Sequence, residues 1–248
     1  MGALGGRVAV ITGADQPLGR GLALALGDAG AGVALVGDAG ALAPLTAELE
    51  SRNRRAVAVE ARVGEREALE RAFATAADEL GGPVRIVVHA AVPAVAFERV
   101  AFEDVDDARW DAVWEGTMTA ALAVLQASFT HLRGSGGRVV FVTPTVSMSG
   151  APGLVAYAAA MEGQRLLAKS AARQWGPDGI TVNCLAPAPE HVPIGVASSE
   201  VSLAPPALGG PGDAETDLGP VVVFLASDDA HFLTGETLCA DGGVWMAP

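Results

Sequence analysis

Cysteine is scarce in this chain: Cys184 and Cys239 are the only two in 248 residues, with no CxxC pair and no Cys/His cluster. A disulfide-stapled scaffold and a zinc site are therefore both excluded as organising principles, and the two thiols read as small buried hydrophobes. Basic residues are also few, 16 against 29 acidic ones, and the formal charge of −13 repels phosphate backbones and anionic headgroups alike. Nucleic acid and membrane surfaces are not expected partners. No apolar run approaches the roughly 18 residues of a membrane-spanning helix, because Arg85, His89 and Pro93 interrupt the longest candidate. The apolar stretch from Val8 to Ile11 is too short for a signal-peptide core, and Gly6 stands where a myristoylation signal needs Ser or Thr. The cytoplasm is the expected compartment. Charged residues make up only 18% of the chain against 50% hydrophobic, with mean hydropathy +0.36, which excludes intrinsic disorder.

What is present is alternation. Short Val/Ile/Leu-rich runs at 7–12, 33–37, 56–60, 84–90, 138–143, 180–185 and 236–240 are predicted strands. Between them lie Ala/Leu/Glu/Arg stretches at about 17–29, 41–52, 65–80, 103–132, 153–175 and 217–226, predicted helices. Near-continuous apolar strands separated by helices are the signature of an α/β fold with a parallel sheet covered on both faces. The expected architecture is a doubly wound, Rossmann-like sheet of about seven strands in one domain, 1–248, with Gly176-Pro177 stopping the helix at 153–175. Seven of the fifteen prolines fall between Pro187 and Pro220, marking 187–220 as a long Pro/Gly-rich loop, either a plain connection or a lid over the pocket at the strand ends.

The first strand runs into Thr12-Gly13-Ala14-Asp15-Gln16-Pro17-Leu18-Gly19-Arg20-Gly21 and then a helix, the geometry in which backbone N–H groups receive a phosphate. Further along stand Trp110, Gly137-Arg138-Val139-Val140, Tyr157, Asp178 to Asn183, Phe224 to Asp229, Leu233 to Leu238 and Asp241-Gly242-Gly243. With these motifs the chain resembles the short-chain dehydrogenase/reductase family over nearly its whole length. The resemblance implies a nicotinamide cofactor and a catalytic tetrad of Asn, Ser, Tyr and Lys. In it Tyr exchanges the proton, Lys lowers the Tyr pKa and holds the ribose, Ser orients the carbonyl and Asn anchors a water relay.

Against that expectation the sequence departs at site after site. Tyr157, the only tyrosine, stands at the family's catalytic position, but four residues on, where the family has Lys, is Met161. The i, i+4 spacing puts both on one helix face. A phenol at its ordinary pKa near 10 is only about one part in a thousand ionised at pH 7, and no cation is there to help. Lys169 lies twelve residues along the same helix, about 18 Å away. Pro144 replaces the Ser and has neither hydroxyl nor N–H, while strand alternation aims Thr143 and Thr145 elsewhere. Thr117 replaces the Asn.

The cofactor motif is altered too. Pro17 stands for the middle glycine of the turn, Arg62 for the Asp that accepts from adenine, Val92 for a glycine after the fourth strand, and Ala188 for one after the sixth. Gly13, Gly19 and Asp38 remain for a dinucleotide, with Asp38 favouring NAD(H) over NADP(H) or serving merely as a helix cap. His89 reads as structural.

Two readings follow. In the first, the chain is a catalytically degenerate subunit with no cofactor or weak NAD(H) binding. It supports an active family homologue in a hetero-oligomeric ketoreductase or dehydrogenase, or pairs with itself, through helices 103–132 and 153–175. In the second, it is an NAD(P)-dependent oxidoreductase, or a non-redox enzyme, using Tyr157 in an altered site.

Overall fold

The computed structural model describes residues 2–191 and 204–246. Seven strands, β1 (Val8–Thr12), β2 (Gly32–Gly37), β3 (Ala56–Glu60), β4 (Val84–His89), β5 (Arg138–Val142), β6 (Thr181–Pro187) and β7 (Thr237–Ala240), form one parallel sheet in the order β3-β2-β1-β4-β5-β6-β7. Each lies within a residue or two of its sequence-predicted run. The strands from β1 through β6 that lie inside the sheet are almost wholly buried, which is why they read as unbroken apolar runs rather than alternating ones.

The chain winds outward from β1 in both directions, so β1 and β4 are neighbours whose following turns diverge. That switch point opens a crevice at the carboxyl ends of the strands. On one face of the sheet pack α1 (Pro17–Asp28), α2 (Ala39–Ser51) and, later in the chain, α8 (Gly219–Ala226). On the other pack α3 (Arg66–Glu79), α5 (Ala120–Leu132) and α7 (Val155–Trp175).

The segment predicted as one helix over 103–132 is more broken than its sequence suggests. A 3-10 turn at Phe102–Asp104 comes first, Asp106 caps α4 (Asp107–Trp114) by accepting from the Arg109 N–H, and a π-turn, Glu115–Thr119, joins α4 to α5. A further short helix, α6 (Val146–Ser149), absent from the sequence reading, follows β5. Of the Pro-rich loop, β6 claims 181–187 and α8 begins at 219; the loop expected over 187–220, a plain connection or a lid, has its central part, 192–203, outside the described residues. No helix among the described residues is long and apolar enough to cross a membrane.

Candidate active site and cofactor crevice

The crevice begins at the turn after β1. Gly13 takes φ +77°, and a Cβ there would stand 2.5 Å from the Ala91 nitrogen in the turn after β4. A Cβ on Gly19 would stand 2.2 Å from the Gly13 carbonyl oxygen. Both retained glycines are thus required by backbone meeting backbone inside the protein. Pro17, at the first position of α1, suits the helix start but brings a ring and removes an N–H where the turn faces the crevice.

Gln16 is the residue that sequence reasoning missed. It occupies the N-cap of α1 without capping it; instead its side-chain Nε2 donates to the Val92 carbonyl at 2.8 Å. The bond runs from the turn after β1 to the turn after β4, from one bank of the crevice to the other. The cleft beside it is lined by Gln16, Leu18, Val92, Pro144, Tyr157 and His191, among others, and about 20 Å³ of it is open, space for a single water. His191 was also missed; its Nε2 makes a 3.0 Å hydrogen bond to the Pro211 carbonyl, pinning the start of the loop after β6.

The remaining cofactor candidates are spread out. Asp38 caps α2, accepting from the Ala41 N–H at 3.0 Å, which is the helix-cap alternative of the sequence reading. Arg62 points into solvent, its side chain 83% exposed, with Glu65 at 3.4 Å. Ala188 is fully buried.

Tyr157 rises into the cleft from the first turn of α7, on the buried face it shares with Met161, Gln164 and Ala168. It packs in an apolar cluster with Met161, Ala160, Val113, Val146 and Leu154, and its ring centroid lies 5.6 Å from that of Phe97. Both Tyr157 and Met161 are buried, and the phenol makes no hydrogen bond to any described residue. Burial without a cation pushes the phenol further above its ordinary pKa, away from the phenolate.

The other tetrad positions point to local structure. Pro144 lines the cleft, as its alternation predicts, whereas Thr145 donates to the Pro187 carbonyl at 3.2 Å and the buried Thr143 does not reach the cleft. Thr117 sits in the π-turn with its hydroxyl donating back to the Val113 carbonyl. Its own carbonyl accepts from Gln164 Nε2 at 3.3 Å. Gln164 was legible in principle, falling seven residues after Tyr157 on the same helical face. Lys169 lies on a different face of α7, by a groove at the sheet edge.

His89 is structural in its contacts. It is buried, shares a 2.8 Å hydrogen bond with the Thr12 hydroxyl through Nδ1, and stands edge-on to Phe141. Burial lowers its pKa to about 4, so it is neutral at pH 7.

Comparison with known proteins places this geometry. The family model described as enoyl-(acyl carrier protein) reductase matches residues 13–245. A short-chain dehydrogenase/reductase of Armillaria gallica is 31% identical, the alignment covering 96% of each chain. The NADPH-dependent aldehyde reductase-like protein, chloroplastic, of Arabidopsis thaliana is 30% identical over 97% of this chain and 94% of that one. Among solved structures, a dehydrogenase/reductase from Sinorhizobium meliloti 1021 superposes with a TM-score of 0.88 at 28% identity, covering 98% of this chain and 96% of that one. A gluconate 5-dehydrogenase from Burkholderia cenocepacia J2315, solved with NADP and tartrate, superposes at 0.85 with 27% identity, covering 97% and 96%.

Proposed function

The chain belongs to the short-chain dehydrogenase/reductase family of NAD(P)-dependent oxidoreductases, and we propose that within it this protein is a catalytically degenerate subunit that supports an active homologue. One observation carries the reading: Tyr157 is buried beside Met161 in an apolar cluster, its hydroxyl without a hydrogen bond among the described residues. A family reductase needs that phenol as its proton carrier, and here burial moves it away from ionisation while nothing cationic moves it back.

A dinucleotide does not fit the residues of this crevice. Pro17 removes a donor at the phosphate turn, Val92 adds a side chain at the opposite bank, and the Gln16–Val92 hydrogen bond spans the gap between them. The glycines that persist, Gly13 and Gly19, are accounted for by backbone packing and need no phosphate.

The proposed docking surface is the outer face of α4, α5 and α7. Trp110 and Trp114 stack there at 6.1 Å and 16°, both partly exposed, with Leu122 and the 66%-exposed Leu166 also at the surface of these helices. Exposed aromatic and aliphatic side chains on adjoining helices suit burial against another subunit. Co-expression with a catalytically intact family member, followed by mass measurement of the purified assembly, tests the proposal. A mixed oligomer is expected; a chain that forms only monomers or homo-oligomers beside such homologues overturns the supporting role.

The second reading, an oxidoreductase acting through Tyr157, is favoured by the placement of Tyr157 and His191 in the lining of one cleft. Turnover with NADH or NADPH that disappears in Tyr157→Phe would establish it.

A further inference from the structure

At the β7 edge of the sheet, away from the crevice, a groove of about 600 Å³ lies between α7 and the end of the chain. Arg165, Lys169 and Arg173 line it from α7, Thr237 and Cys239 from β7, and Trp245 from the turn beyond. We propose that this groove binds a small organic phosphate, its anionic group held by the α7 cations and its planar or apolar part lying on the Trp245 indole.

The three cations recur every fourth residue, so they stand one above another on a single helix face with about 6 Å between successive Cβ atoms. A phosphate can span neighbours at that spacing, carrying two charges and three acceptor oxygens to two cationic heads. Arg165 is already set in place: it donates to both Glu162 carboxylate oxygens, at 2.9 and 2.7 Å, and to the Thr237 hydroxyl at 3.2 Å. The side chains of Lys169, the only lysine of the chain, and Arg173 make no ion pair or hydrogen bond among the described residues. In a protein with 29 acidic side chains for 16 basic ones, most arginines find a carboxylate; two cations left unpaired in one groove mark a position where an anion from outside is favoured. Glu236 is the one acid in the groove lining, and it makes no ion pair with these cations.

The aromatic wall is held firmly. Asp241, 2% exposed, accepts from the Gly243 N–H at 3.0 Å and from the Trp245 N–H at 2.7 Å, fixing the turn that carries the indole to the groove. An aromatic surface beside a cationic stripe recognises a ligand with one flat or apolar end and one anionic end.

Phenyl phosphate, inorganic phosphate and phenol, titrated into the full chain and followed by NMR shifts and tryptophan fluorescence, separate the two halves of the site. Phenyl phosphate is expected to saturate below about 1 mM, inorganic phosphate more weakly and phenol not at all. The Lys169→Gln/Arg173→Gln double variant should weaken phenyl phosphate at least about tenfold while leaving the melting temperature of the unliganded protein unchanged. Trp245→Ala should abolish the preference for phenyl phosphate over inorganic phosphate. Absence of saturation up to about 10 mM, binding indifferent to the double variant, or an acidic peptide captured at this groove in place of phosphates overturns the proposal. Every arm reads the groove at the sheet edge, so the outcome is independent of what the crevice beside β1 binds.

Discussion

Gln16 and Val92 are joined across the switch-point crevice: the side-chain amide of one donates to the backbone carbonyl of the other at 2.8 Å. The bond links the turn after β1 to the turn after β4, the two banks between which a dinucleotide of this family would lie. It also leaves α1 without a side-chain cap, although Gln16 stands at the N-cap position.

If this bond and the bulk at its ends close the crevice, the triple variant Gln16→Ala/Pro17→Gly/Val92→Gly should gain NADH binding over the wild type by at least about tenfold in Kd. Calorimetry on both proteins checks it. A triple variant no better than wild type would mean that closure comes from elsewhere in the chain.

Met161→Lys, the substitution that restores the family's residue, should not restore a catalytic site. Met161 is fully buried among apolar side chains, so an ammonium there enters without a partner, at a cost of about 3 kcal/mol or more. Tyr157→Phe, by contrast, removes a hydroxyl that bonds to no described residue, and stability should change by less than about 1 kcal/mol. Urea denaturation of the two variants gives both numbers. A Met161→Lys protein as stable as wild type and active with NADPH would show the apolar cluster to be adaptable.

The site was more legible in the sequence than the reasons for its state. The parallel sheet followed from apolar periodicity, whereas the significance of Tyr157 and of the residues at 117, 144 and 161 was legible only through the resemblance to the family's motifs; helix and strand geometry then fixed which of them share a face. The Gln16 bond could not be read that way. It depends on two turns far apart in sequence meeting at the switch point, and a glutamine at a helix start ordinarily suggests only a surface residue. The broken form of the segment over 103–132 was hidden for a different reason: a π-turn shifts the helical phase by one residue, and the only mark in the sequence is Gly116, a lone glycine that a helix interior tolerates.

Stability should depend on pH through His89. Its folded-state pKa of about 4 lies below the ordinary histidine value near 6.5, so the unfolded chain takes up a proton first as pH falls. The stabilisation is complete above about pH 6.5 and is lost progressively down to about pH 4, a difference on the order of 3 kcal/mol. The partly buried His131 shifts in the same direction. Denaturation midpoints measured from pH 7.5 to 4 should fall, and His89→Asn should flatten that fall; a profile identical to the wild type would assign the loss to other groups.

Trp114→Glu, on the outer face of α4, should leave the melting temperature of the isolated chain within a few degrees while weakening association with a co-expressed homologue by about 2 kcal/mol or more. Analytical ultracentrifugation of the wild-type and variant mixtures distinguishes a lost interface from a lost fold.

Titration of the purified wild-type chain with NADH and with NADPH tests the degenerate-subunit reading most directly. The account predicts no saturable binding of either up to about 1 mM, because Val92 and the Gln16–Val92 bond occupy the crevice and Pro17 removes an N–H from the phosphate turn. A dissociation constant in the micromolar range for either dinucleotide, about −8 kcal/mol of binding, would contradict it and make the chain a working oxidoreductase built around Tyr157.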